Sequence, residues 1–361
     1  MQGLDIGTAF IVAVKATDKK QSRVSTVRDC FLALETEQAP ALELSGVEFI
    51  EGSKGIYVVG TEAVTLAGAL GGELRRPLSN GFVSPKEEDG KEILQLILQQ
   101  VLGDPTESKE LVAFSVPGPV FDVDAAAPPK NDMALTFHTN FFRTLLTQMG
   151  YEAKPLNEAV AVCYNETMLP KKGDAPLTGL AISFGAGTTN VALCYKSLPL
   201  RTFALPFGGD YIDQFAAKAT NSTVSHITLL KERGVNLVTK QVVKAEESDD
   251  TQTARQAEAI ADGYTDLLTK LVVAINKYFS FGTNRVEIPE TIPVIFSGGT
   301  SMSPGFTQLF SQVFMKELDV RFKVNPEPHP SQSPLDATAM GCLNYIKILQ
   351  RKREEKEAKN A

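Results

Sequence analysis

The stretch Leu180–Leu193, LAISFGAGTTNVAL, decides how the rest of this chain is read. An apolar, strand-like run enters Gly185 and Gly187, passes Thr188 and Thr189, and leaves as a second strand-like run. A glycine turn between two strands lets backbone N–H groups approach phosphate oxygens with no Cβ in the way. The threonines add hydroxyl donors. Taken alone, such a loop is a weak signal, since a glycine-rich hairpin is more often a plain turn. Gly3–Lys15, GLDIGTAFIVAVK, repeats the pattern of strand, glycine–threonine turn and strand, with Gly7, Thr8 and Ala9 at its tip. Neither stretch is a Walker A loop, and no GxGxxG opens a helix after a strand.

Composition narrows the field around these turns. The 361 residues are enough for two domains or one large one with a deep cleft, and 43% are hydrophobic. A formal net charge of −7 offers no basic field to nucleic acid or to anionic lipid, so nucleic acid is not expected as a partner, while membrane contact is unsupported and left open. The mixed-charge tail RKREEKEAKNA reads as a solvated helix end. Cys30, Cys163, Cys194 and Cys342 are scattered, as are His138, His226 and His329, without metal-ligand spacing. Strand pattern begins at residue 3, so neither a signal peptide nor an amphipathic anchor is expected. No run reaches the ~18 apolar residues of a spanning helix. A cytoplasmic location is the expectation.

Strand and helix signals alternate, which argues an α/β architecture. Strands are expected at LDIGTAFIVAVKA, STVRDCFLALE, GIYVVG (55–60), LVAFSVPGPV (111–120), LAISF, VALCYK, TFALPF and IPVIFSGGT (292–300). Helical spacing of apolar residues marks 91–102, 137–149, closed by Gly150, 253–280 and 337–350. The polar stretch 238–256 suits an exposed loop.

The order of these pieces carries a resemblance. The first turn, the helix start NEAVAVCYN (157–165), the second turn and SGGTSMSPGF (297–306) follow one another as in the superfamily of actin, the Hsp70 ATPase domain and sugar kinases. Within it the chain most resembles prokaryotic actin-like proteins of the MreB and MamK type. Its length leaves no room for a chaperone's substrate domain, the insertion between about 216 and 264 is small, and RRPLSNGFVS is similar to the PLxxG element of those filament proteins.

The resemblance implies an actin-like fold of two duplicated, ribonuclease H-like lobes around a nucleotide cleft, each with a smaller outer subdomain. Lobe I is expected over 1–156 plus 326–361, with its outer part at about 27–75. Lobe II is expected over 157–325, with its outer part at about 216–264. The implied ligands are ATP or GTP with Mg²⁺. Asp5 matches the acid near Mg²⁺ and its waters, and Glu158 the residue that orients the attacking water. Gly298, Gly299, Thr300 and Ser301 match the adenosine turn, Lys231 and Glu232 the ribose and adenine contacts, and Gly208 and Gly209 the stretch under the nucleotide.

Two departures stand out. Ser183 takes the place of the acid that heads the second turn in the family, and Asn190 follows the threonines where bacterial members often carry an acid. Loss of a group that positions water or carries a proton lowers a rate by ~10²–10⁴. The expectation is therefore a nucleotide-dependent, self-assembling filament protein with slow hydrolysis. A non-filamentous nucleotide-sensing adaptor, or chaperone-like pseudo-ATPase, remains open, as does a small-molecule kinase of the same fold. The sequence names no cargo.

Overall fold

The computed structural model describes residues 1–17, 22–124, 132–166, 178–196, 198–244, 246, 250–280, 288–320, 323–325, 327–331 and 333–360. Part of the polar stretch 238–256 lies outside the described residues. The chain divides into two compact units, Met1–Val116 with Met133–Asn157 and Thr338–Ala361, and Pro117–Asp132 with Glu158–Ala337.

The first unit is built on the β-branched runs at its start. Strands β1 (Gln2–Ile6), β2 (Phe10–Ala16) and β3 (Ser22–Arg28) form an antiparallel meander. Next come β4 (Phe31–Leu34), helix α1 (Ala39–Ser45), β5 (Phe49–Gly52), β6 (Gly55–Val59), helix α2 (Gly60–Leu70) and β7 (Leu74–Arg75). These strands make a separate sheet of order β5-β6-β4-β7 with its own small core around Leu32, Ile56 and Val58. The short hairpin of β8 (Leu78–Ser79) and β9 (Phe82–Val83) leads into α3 (Gly90–Leu102). Ile93, Leu94, Ile97, Leu98 and Val101 of α3 are buried at helical spacing. Then β10 (Leu111–Val116), α4 (Met133–Gln148) and β11 (Glu152–Asn157) complete the main sheet in the order β11-β10-β1-β2-β3.

The second unit repeats that plan. After α5 (Glu158–Glu166), strands β12 (Gly179–Phe184), β13 (Thr189–Tyr195) and β14 (Leu198–Leu205) form another antiparallel meander. Helices α6 (Gly209–Thr220) and α7 (Val224–Arg233), with the small β15 (Val235–Asn236) and β16 (Gln241–Val242) pair, follow. The long α8 (Thr251–Ser280) buries Ile260, Leu267, Leu268, Leu271, Val272 and Ile275 along one stripe. Strand β17 (Val294–Ser297), α9 (Phe306–Glu317) and β18 (His329–Pro330) close the sheet in the order β14-β13-β12-β17-β18. In both sheets the hairpin strand that enters the glycine turn pairs in parallel with the strand beyond it, β1 with β10 and β12 with β17.

The final helix α10 (Ala337–Asn360) belongs to the first unit from Thr338 onward. It runs ten residues past the expected end at 350, in a segment where Gln350 donates to Glu354 one turn on, at 3.0 Å. Residues 117–124 pack with the second unit, since Val120 bridges Ala204 and Phe121 lies in that unit's core. Residues 326–337 also fall in that unit, where Gly298 N donates to Pro334 O at 3.0 Å. Among the described residues no helix is long and apolar enough to cross a membrane.

Candidate functional site: a cluster of glycine turns

In the second unit the fold brings three separated stretches together: the turn after β12, the start of α6, and the turn after β17. Gly185 is the junction. Its carbonyl accepts from Gly209 N at 3.0 Å and from Thr300 Oγ1 at 2.8 Å, while Asp210 N donates to Ala186 O at 2.9 Å. Two glycines are required for this closeness. A Cβ on Gly208 would lie 2.5 Å from the carbonyl oxygens of Gly185 and Ala186. Gly298 has φ +97°, and its Cβ would lie 2.2 Å from Phe184 O. Gly299, Thr300 and Ser301 form a short 3₁₀ turn behind Gly298. The Tyr264 hydroxyl, on α8, donates to Thr300 O at 3.1 Å and sits 2.6 Å from Ser303 Oγ, fixing that turn from below.

Several expected donors are committed inside the protein. Thr189 Oγ1 donates to Phe207 O at 2.8 Å, Thr300 Oγ1 to Gly185 O, and Ser301 Oγ to Gly298 O at 2.7 Å. These hydroxyls hold the turns in shape, as do the main-chain bonds from Gly185 N to Thr188 O and from Ser301 N to Gly298 O. Thr188 differs: its Oγ1 accepts from Asn190 Nδ2 at 3.1 Å and keeps its own proton to give. Lys231, on α7, is mostly buried, forms an ion pair with Asp213 Oδ1 at 2.7 Å and donates to Gly209 O at 2.9 Å. Burial raises the Asp213 carboxyl above its ordinary range, with Lys231 and Thr228 working against that rise. Lys231 thus ties α7 to α6, and the neighbouring Glu232 is exposed.

Glu158 is the first residue of α5 and is 7% exposed. Asn190 Nδ2 donates to its Oε2 at 2.6 Å, and Asn190 Oδ1 accepts from Gly118 N at 2.7 Å. Asn190 therefore fixes the Glu158 carboxylate, the Thr188 hydroxyl and the backbone at Gly118 at once. The sequence presents Asn190 only as a departure from an acidic pattern. Its role depends on α5 lying over β13, a non-local contact that spacing does not encode.

The first unit carries the corresponding hairpin turn. Gly7 N donates to Phe10 O at 3.2 Å, and Thr8 Oγ1 accepts from Gly81 N at 3.1 Å, joining the turn to the β8–β9 hairpin. Ala9 O accepts from Asp29 N at 2.9 Å. Asp5 is partly exposed, and Ser115 Oγ donates to its Oδ1 at 2.8 Å while accepting from Ile6 N at 2.8 Å. Burial pushes the Asp5 carboxyl up to about 6, the Ser115 bond opposing it. Nothing in the sequence around Ser115 marks it, because its bond to Asp5 spans 110 positions. Among the described residues no group of three His, Cys, Asp or Glu side chains is placed to hold a metal ion, and all four cysteines are buried thiols outside any disulfide.

Two sheets of one strand order, each with a glycine turn at the same hairpin, define the actin-like fold. The full-length likeness to solved structures agrees. The MamK double-helical filament matches at TM-score 0.67 and 17% identity over 96% of this chain and 98% of the other. A non-polymerising MamK mutant bound to AMPPNP matches at TM-score 0.55 and 16% identity over 96% and 98%. MreB 5 of Spiroplasma citri bound to AMPPNP matches at TM-score 0.65 and 13% identity over 98% of each chain. No curated protein sequence matches significantly. A family model described as Volactin matches residues 1–345, and the chain belongs to that family.

Proposed function

We propose that this chain binds a purine nucleoside triphosphate, ATP or GTP, with Mg²⁺, assembles with copies of itself into filaments, and hydrolyses the nucleotide slowly. The observation that carries the reading is the joining of three sequence-distant glycine turns at Gly185 O and Ala186 O. Such a cluster presents backbone N–H groups to phosphate and a bare glycine surface to a base or ribose. AMPPNP in the MamK mutant and MreB 5 structures, and the filament form of MamK, support the two halves of the proposal.

The residues have separable parts. The second-unit turn at 185–188 grips phosphate through its backbone and Thr188, and Gly298–Ser301 lies against the nucleoside. Asp5, a partly exposed carboxylate, suits Mg²⁺ held through its waters. When bound, Mg²⁺ neutralises phosphate charge. Glu158, oriented by Asn190, positions water for attack. Ser183 supplies a hydroxyl rather than a carboxylate, which is the basis for slow turnover. A head-to-tail contact between copies does not close on itself and so gives a filament.

Thermal melts of the full chain with Mg-ATP and Mg-GTP test the binding half. A ligand at 100 times its Kd adds ~2.7 kcal/mol of stability, and a rise in Tm is expected. An unchanged Tm at millimolar nucleotide overturns the reading. Sedimentation and negative-stain microscopy test assembly. The serine at position 183 also favours a second reading, a nucleotide sensor that does not polymerise. Tight binding with only monomers across salt and protein concentration selects that one.

A further inference from the structure

The two hairpins share one position with different contents. Asp5 stands two residues before Gly7, and Ser183 two residues before Gly185. In the first unit Ser115, on the parallel neighbour β10, donates its hydroxyl to Asp5. In the second unit the residue in register with Ser183, on the parallel neighbour β17, is also a serine, Ser297. Its side chain is fully buried, and its Oγ has no hydrogen-bond partner among the described residues.

Side-chain length explains the difference. An aspartate reaches across to a serine on the next strand, whereas two serines on adjacent strands leave a gap. Strands lie ~4.8 Å apart, so two short hydroxyls meet directly only when both turn toward each other, and Ser297 Oγ makes no such bond, which suits one bridging molecule. Ser331 extends the row. Its N–H donates to Phe296 O at 2.8 Å just past the pairing of Phe296 with Pro330, which sets it beside Ser297 on the other side. Ser331 is 3% exposed, and its Oγ is likewise without a partner.

Alternation fixes which side of the sheet the row occupies. Ile182, Phe184 and Phe296 belong to the core shared with α6, α8 and α9. Ser183 and Ser297 therefore face the other way, the side on which Asn190 reaches Glu158 of α5.

We propose that Ser183, Ser297 and Ser331 form a buried hydration site, in which ordered water bridges the hydroxyls and stands in for the carboxylate that Asp5 supplies in the first unit. Buried hydroxyls are rarely left unpaired, and water with two to four polar partners is the usual solution. The site lies on the same face of the sheet as Glu158, so it keeps water in store near the residue that orients the attack. That last role rests on the nucleotide reading; the hydration site itself does not.

The test is a crystal structure of the nucleotide-free full chain at a resolution that shows water, with melts of Ser297→Ala, Ser331→Ala and Ser183→Asp. Ordered density within hydrogen-bond distance of Ser297 Oγ and Ser331 Oγ is expected. Each alanine variant then lowers Tm by about 2 °C or more. In Ser183→Asp the new carboxylate accepts from Ser297 as Asp5 does from Ser115, and the density between positions 183 and 297 disappears. A dry row overturns the proposal, as do alanine variants whose Tm is unchanged or higher, since these report removal of an unpaired hydroxyl. A cation in place of water, recognised by ligand distances near ~2.4 Å, also overturns it. All of these readouts are taken without nucleotide, so failure of ATP binding leaves them intact.

Discussion

The turn of β1–β2 and the turn of β12–β13 hold the same place in two sheets of the same strand order, yet they are wired differently. In the first, an acid at the end of the strand is met directly by a serine of the neighbouring strand. In the second, that acid is a serine, and the buried carboxylate comes instead from Glu158 at the start of a helix, held by Asn190. The two halves thus share the backbone turn and differ in the element that brings the nearest buried carboxylate. The turn depends on main-chain geometry, whereas the carboxylate can be delivered from any element that reaches it.

The comparison can be broken first at Gly298. Gly298→Ala meets both a left-handed backbone and Phe184 O, so a loss of about 3 kcal/mol or more and loss of nucleotide-induced stabilisation are expected from calorimetry. Acid separates the two units next. His138, buried against Phe82 and Phe142, has its pKa lowered by burial to about 4. A histidine depressed below its unfolded value of 6.5 stabilises the fold fully above that pH and ceases to as pH falls toward 4. The expected loss is about 3 kcal/mol, carried by the first unit, and it flattens in His138→Leu; hydrogen exchange by segment reads which unit opens.

Asn190→Ala and Ser115→Ala then weigh the two wirings against each other. Asn190→Ala removes a bond to a buried carboxylate and the acceptor of Gly118 N–H, so about 2–3 kcal/mol is expected from denaturant melts. Ser115→Ala removes the acceptor of Ile6 N–H and one donor to a carboxylate on a partly exposed residue, so about 1–2 kcal/mol is expected. Equal losses would erase the distinction drawn between the hairpins. The smallest effect is at Thr189, where Thr189→Val forfeits one bond to Phe207 O and costs about 1 kcal/mol.

Much of this architecture is legible in the sequence because it rests on local pattern. The β-branched runs flanking Gly7 and Gly185 form the expected hairpins, and the apolar spacing along 253–280 becomes the buried stripe of α8. What was missed is non-local and polar. Asn190, Ser115 and Asp213 matter through residues 32, 110 and 18 positions away, and no periodicity reports such pairs. Thr189 and Thr300 show the converse, since hydroxyls that look like ligand donors in sequence are used to brace the turns.

The interleaving of the two units has a consequence for how the chain is made. The backbone passes between them at Val116–Pro117, Asp132–Met133, Asn157–Glu158 and Ala337–Thr338. At the heart of the first unit, Gly3 of β1 lies so close to α10 that a Cβ there would fall 2.0 Å from Ala339 O. An early strand is thus covered by a late helix. During synthesis β1 waits, with one side bare, until nearly all of the second unit has emerged. Such high contact order makes folding slow, and the second unit, whose segments after Pro117 follow with no later partner, is the part able to finish first.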